Sequence, residues 1–175
     1  MNNIDNSNCE IPNNTIKTSP SLKQLTEYRS GPQKISAVIK NLTPAQMNYH
    51  INSDEWNINQ IIVHLADTEM FFCERIRKII VEEKPQLQSF DQDAWADRLF
   101  YDKQNYHLAL ELLKAQRKST LRLLDLLPPD YWRREGIRDE KVLTLYDIFL
   151  SALHHIPTHL EQIGNIKNNL HFPLK

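Results

Sequence analysis

The chain has 175 residues, enough for one domain with a single sizeable core and short for two. Its 21 basic and 22 acidic residues leave a net charge of −1, without the basic excess of a phosphate-tracking surface, which argues against nucleic acid as the main partner. Apolar residues make up 41% of the chain, yet no apolar run approaches the roughly 20 residues needed to span a bilayer, so no membrane partner is expected and the cytoplasm is the expected location.

In chain order, residues 1–20, "MNNIDNSNCEIPNNTIKTSP", are rich in Asn, Ser and Thr and lack the basic and apolar regions of a signal peptide. They predict a disordered tail ahead of one domain over 21–175. Cys9 in this tail and Cys73 in a helical pattern do not suggest a disulfide framework; both read as tolerated small residues rather than reactive thiols. A helical pattern covers Leu22 to Leu42, interrupted at Gly31 and Pro32, where proline either opens a new helix or kinks a continuous one. "TPAQM" follows as a short helical turn.

Asn57, with Gln60 three residues on and Trp56 placed to staple against Ile61, starts a second long helix near Ile58. It should run to about Val81, stop before Pro85, and bury Ile58, Ile61, Ile62, Leu65, Phe72, Ile76 and Ile79. The next segment, "KPQLQSFDQDAWADRLFYDK", is longer than a helix connection needs and predicts a crossing connection or a lid. A third helix spans roughly Asn105 to Leu127, with Leu110, Leu113, Leu121 and Leu124 in the core, and ends at Pro128 and Pro129. "PDYWRREGIRDEKV" predicts either an extra turn or a short strand pair. A fourth helix opens at Thr144, with Asp147 in a capping-box position, and continues to about Asn168. Only three glycines occur, which leaves no phosphate-cradling loop and no dinucleotide fingerprint. Four amphipathic helices with no repeat and no strand-rich block predict an all-α four-helix bundle.

The stretch "HHIPTHLEQIGNIK" concentrates three of the seven histidines on the fourth helix. Its apolar stripe is Leu145, Ile148, Phe149, Ala152, Ile156, Leu160 and Ile163, so His159 falls inside the stripe, His155 on its edge and His154 on the solvent side. His155 and His159 stand at i and i+4, which lets two imidazoles reach one ion, although an ordinary core-edge pair has the same spacing. Buried imidazoles need partners, and an ion satisfies both at once. His64, flanking the stripe of the second helix, is the candidate third ligand, against the alternative of a structural, half-exposed histidine. Glu69 is either a fourth ligand or base, or the partner of a buried Arg or Lys. Gln162, one turn beyond His159, can orient that imidazole. His50, His107 and His171 read as surface residues. Pro157, between the paired histidines, removes a helix hydrogen bond, and the bend it brings can open their spacing.

"EWNINQIIVHLADTEMF", "FDQDAWADRL" and "HHIPTHLEQI", in this order and at these distances, resemble the DinB superfamily, and within it the YfiT-like branch that includes bacillithiol transferases. The resemblance covers Leu22 to Lys167. It implies an up-down-down-up bundle with a long crossover, and a metal held by His64, His155 and His159, with Pro157 a local departure. It also implies a metal-dependent transferase that joins a low-molecular-weight thiol to an electrophile in a stress or detoxification role, with a metal-dependent hydrolase as the variant. The expected ion is divalent, zinc first, then nickel, iron or manganese; the expected partners are a small-molecule thiol as co-substrate and an electrophile, with a homodimer possible. The nucleophile would be a metal-bound thiolate or water, with Phe71, Phe90 and Trp95 lining a pocket or packing the core. The rival class is a non-catalytic bundle that binds a metal or small ligand.

Overall fold

The computed structural model describes residues 19–170, so nearly all of the predicted tail, and His171, lie outside the described residues. Among the described residues six α-helices form: α1 (Leu22–Ile39), α2 (Pro44–Met47), α3 (Ile58–Val81), α4 (Gln92–Arg98), α5 (Tyr106–Leu124) and α6 (Leu145–Asn168). A two-stranded hairpin, β1 (Glu135–Arg138) and β2 (Lys141–Thr144), fills the position where turn and strand pair were both open.

Local chemistry sets the helix starts. Reciprocal capping boxes close on Ser21 with Gln24, Asn57 with Gln60, and Thr144 with Asp147, each satisfying two backbone donors that a helix end leaves bare. α1 is continuous through Gly31 and Pro32, and α6 is continuous through Pro157. α1 and α5 stop at Ile39 and Leu124, about one turn short of the predicted Leu42 and Leu127, because Leu42 and Leu127 sit in turns that bond back to Ile39 and Leu124.

The side-chain pairings give each helix its direction. Gln24 bonds Tyr146 and Lys167 bonds the Val38 carbonyl, so α1 and α6 are parallel. Glu69 pairs with Arg117, and Cys73 with Thr120, so α3 and α5 are also parallel. His64 meets His159 while Phe72 meets His155, which makes α3 and α6 antiparallel. The bundle is therefore up-down-down-up, with α5 and α6 on either side of α3 and of α1, and the α1–α5 groove opposite the α3–α6 groove. Parallel α3 and α5 require the chain to return along the bundle. Residues 82–105 make that return, fastened to β1 where the Leu87 N–H donates to the Ile137 carbonyl (2.8 Å) and the Ile137 N–H to the Pro85 carbonyl (2.9 Å), and to α3 where Arg75 donates to the Gln88 carbonyl (3.1 Å).

The core has two lobes, one around Ile61, Leu65, Leu113 and Ile163 and the other around Ile76, Leu121, Ile148 and Phe149. At the centre lies Arg117 of α5, 2% exposed. Its Nε donates to Glu69 of α3 at 2.9 Å, its Nη1 to the Tyr28 carbonyl of α1 at 2.9 Å, and its Nη2 to the Ala152 carbonyl of α6 at 2.7 Å. The Tyr28 hydroxyl donates to the other Glu69 oxygen, and the guanidinium lies 4.1 Å from the Tyr28 ring centre. Gly31 makes room for this group, since a Cβ there would stand 2.6 Å from Arg117 Nη1.

Two substitutions test the centre. Arg117→Ala leaves the Glu69 carboxylate buried without its cation and is expected to cost about 3–5 kcal/mol in denaturant unfolding. Gly31→Ala crowds the guanidinium and is expected to cost about 1–3 kcal/mol, with a smaller loss when combined with Arg117→Ala than the sum of the two.

Candidate metal centre

α3 and α6 cross with their apolar stripes facing, and this carries His64 on one helix against His155 and His159 on the other. His155 Nε2 lies 3.3 Å from His64 Nε2 and 3.2 Å from His159 Nε2. Of the described His, Cys, Asp and Glu residues, these three form the group whose ligand atoms all lie within 4.8 Å of one another. An imidazole nitrogen carries either one hydrogen or one lone pair, so His155 Nε2 cannot satisfy both neighbours by hydrogen bonding. A shared cation satisfies all three. The spacing fits as well, because two tetrahedral metal–nitrogen bonds of about 2.0–2.1 Å put their nitrogens about 3.3 Å apart.

Each ring has neighbours that position it. His159 Nδ1 lies 2.8 Å from Gln162 Oε1; an amide oxygen accepts there, so Nδ1 carries the hydrogen and Nε2 presents its lone pair to the cluster. Gln162 thus takes the orienting position expected of it. The His64 ring is buried beside Trp56, with ring centres 4.7 Å apart, and Thr68 Oγ1 lies alongside it, 3.4 Å from Nδ1 and 3.3 Å from Nε2. Phe72 sits edge-on to His155 at 5.7 Å. Despite Pro157, α6 keeps the histidine pair on one face with ring centres 4.7 Å apart.

Burial sets the charge state. His64 is pushed from 6.5 down to about 3, first by loss of solvent and then by His159. His155 is also lowered to about 3, by burial first and then by His159, His64 and Arg117. Burial lowers His159 too, opposed by its bond to Gln162. At neutral pH the rings are uncharged, the form in which imidazole binds a metal.

Glu69 takes the partner role: one oxygen accepts from Arg117 and the other from Tyr28, so neither is free as a ligand or base. His154 and His107 are exposed. His50, also exposed, has its Nδ1 2.8 Å from the Glu55 carbonyl and bonds the Asn57 cap, so it braces the approach to α3. Phe71, Phe90 and Trp95 form one cluster, with Phe71 and Phe90 stacked at 4.2 Å and Trp95 5.0 Å from Phe71. Phe90 extends this cluster to within 6.5 Å of the His64 ring, so the return segment roofs the histidines with aromatic surface. Trp56 and Phe72 complete that wall, and sequence periodicity alone marks them only as a staple and a core residue.

The DinB superfamily model matches residues 27–163. The chain belongs to the DinB superfamily. Among its relatives, a protein of Oceanobacillus iheyensis is 30% identical over 110 residues, 62% of this chain and 63% of that protein. One of Bacillus pumilus is 27% identical over 151 residues, covering 85% of this chain and 84% of the relative. Both carry the name "Putative metal-dependent hydrolase". The solved structure of YfiT from Bacillus subtilis, described as "a probable metal-dependent hydrolase with an unusual four-helix bundle topology", superposes with a TM-score of 0.81 at 20% identity. That likeness covers 89% of this chain and 92% of YfiT and shows that the DinB bundle is shared.

The depressed histidines predict the acid response of the chelator-treated DinB protein. Between pH 6.5 and about 3 the unfolded chain binds protons at His64 and His155 that the folded chain refuses. Stability is full above that window and falls as pH drops through it, by about 1.4 kcal/mol per pH unit for each such proton. Urea midpoints at pH 7 and pH 5 should differ accordingly, and His155→Ala should flatten the difference; equal midpoints in the parent protein would contradict the assignment.

Proposed function

We propose that this DinB protein is a metal-dependent enzyme that joins a low-molecular-weight thiol to an electrophilic carbon, with His64, His155 and His159 holding one divalent ion. Zinc is the first candidate, followed by nickel, iron and manganese. The supporting observation is the set of three uncharged imidazoles, His64 buried and His155 and His159 half-buried, whose nitrogens approach at 3.2 and 3.3 Å. Such an ion, when bound, lowers the pKa of a coordinated thiol or water and supplies a nucleophile at neutral pH.

The chain's own residues do the rest. Gln162 fixes the tautomer of His159, and Trp56, Phe72 and Phe90 exclude water and offer apolar surface to the second reactant. Of the two carboxylates nearest His64 along α3, Glu69 has both oxygens held, by Arg117 and Tyr28, and Asp67 accepts from the Tyr101 hydroxyl at 2.6 Å through one oxygen. A thiol, with its ordinary pKa near ~8.5, ionises more readily than water, which favours it as the nucleophile. The names of the relatives favour the second reading, hydrolysis at the same ion. A detoxification or stress role in the cytoplasm suits thiol transfer.

Elemental analysis of untagged protein tests the ligand set, with about one equivalent of metal expected in the parent and little in His159→Ala. Metal-loaded protein is then given L-cysteine with 1-chloro-2,4-dinitrobenzene, and separately 4-nitrophenyl acetate in water. Thiol arylation lost in His64→Ala, His155→Ala and His159→Ala supports transfer; ester cleavage alone supports the hydrolase. Metal bound without either turnover supports a non-catalytic binding bundle, and turnover that survives all three substitutions sinks the proposal.

A further inference from the structure

A cavity of about 540 Å³ opens between α1 and α5, on the side of the bundle opposite the histidines. Its floor is apolar, built by Pro32 and Leu121 over the buried Arg117. Its rim carries Arg29 from α1 and Lys114, Lys118 and Arg122 from α5, all exposed. Among the described residues none of these four cations has an ion pair, whereas Lys34, Lys78, Lys84, Arg117 and Arg138 all do. The only acidic residue in the lining is Asp125. Lys114, Lys118 and Arg122 follow one another at i, i+4, an arrangement that repels along a helix and gains only when an anion lies against it. Arg117 adds a positive charge beneath, already balanced by Glu69, so the four rim cations face the single carboxylate of Asp125 in the lining.

We propose that this groove is a second binding site, separate from the metal centre, for a small organic anion with an apolar body. The head, a carboxylate or a phosphate monoester, lies between Arg29 and Lys118 across the groove, and the body rests on Pro32 and Leu121. The volume is in the range of small-ligand pockets, and the pairing of charged rim with apolar floor selects an amphiphile over a bare ion.

Calorimetric titration of the metal-loaded protein with decanoate, decyl phosphate and inorganic phosphate tests this. Both decyl compounds should bind, the tighter one identifying the head group, and inorganic phosphate should bind at least tenfold more weakly. Arg29→Gln and Lys118→Gln, each at an exposed position, should each raise Kd about tenfold, the loss of one charge-assisted contact. His159→Ala should leave Kd unchanged. Failure of both decyl compounds to bind, wild-type affinity in both Gln variants, equal affinity for inorganic phosphate, or loss of binding in His159→Ala would each overturn the proposal.

Discussion

One guanidinium touches all four long helices. Arg117 belongs to α5, bonds a carboxylate on α3, and takes backbone carbonyls from α1 and α6. An ion pair so deeply buried gains little net stability, because the desolvation of both charges offsets their attraction. Its effect is on geometry. The donors of a guanidinium lie in a fixed plane, so Glu69, Tyr28 and Ala152 must present their oxygens at set positions, and a helix that slid or rotated would strand a buried charge. Ala152 stands one turn before His155, and Glu69 follows His64 along α3. The constraint that sets the bundle's register therefore also sets the approach of the two ligand-bearing helices.

The same physics explains what could be read from the chain. The starts of α3 and α6 were legible because a capping box is written within four residues, and the inward set of α6 because helical periodicity separates His155 and His159 from His154. His64 could be picked as a candidate from its place beside an apolar stripe. Its meeting with the other two could not be read, since it depends on how α3 and α6 cross, 91 residues apart along the chain. The partner of Glu69 was equally hidden, because Arg117 lies 48 residues away and looks like an ordinary helical cation in sequence. The hairpin stayed ambiguous for a different reason: its turn uses left-handed Asp139 and Glu140, with φ of 50° and 65°, and Glu140 stands where such turns favour Gly. Ser89 of the return segment donates to the Asp139 side chain at 2.7 Å and so ties that turn to the return.

That return segment shows how one topological demand serves two ends. Parallel α3 and α5 oblige the chain to retrace the length of the bundle, and an unattached loop of that length would cost conformational entropy with no contact to offset it. Here it docks on the hairpin, is gripped by Arg75, and spends its remaining length on Phe90 and α4 above the histidines. The aromatic roof of the metal centre is thus a by-product of connectivity, and its position over His64 depends on anchors at the hairpin as much as on residues of the site.

The parallel pairing of α1 with α6 has a consequence for anyone who would re-engineer the chain. Leu22 and Asn168 lie at opposite ends of the bundle, separated by roughly the 36 Å rise of a 24-residue helix. A circular permutant would need a linker of at least ten or so extended residues laid along the outside of the bundle. Proteins joined directly at Leu22 and Asn168, by contrast, would be held apart by that same distance, with the bundle as the spacer between them.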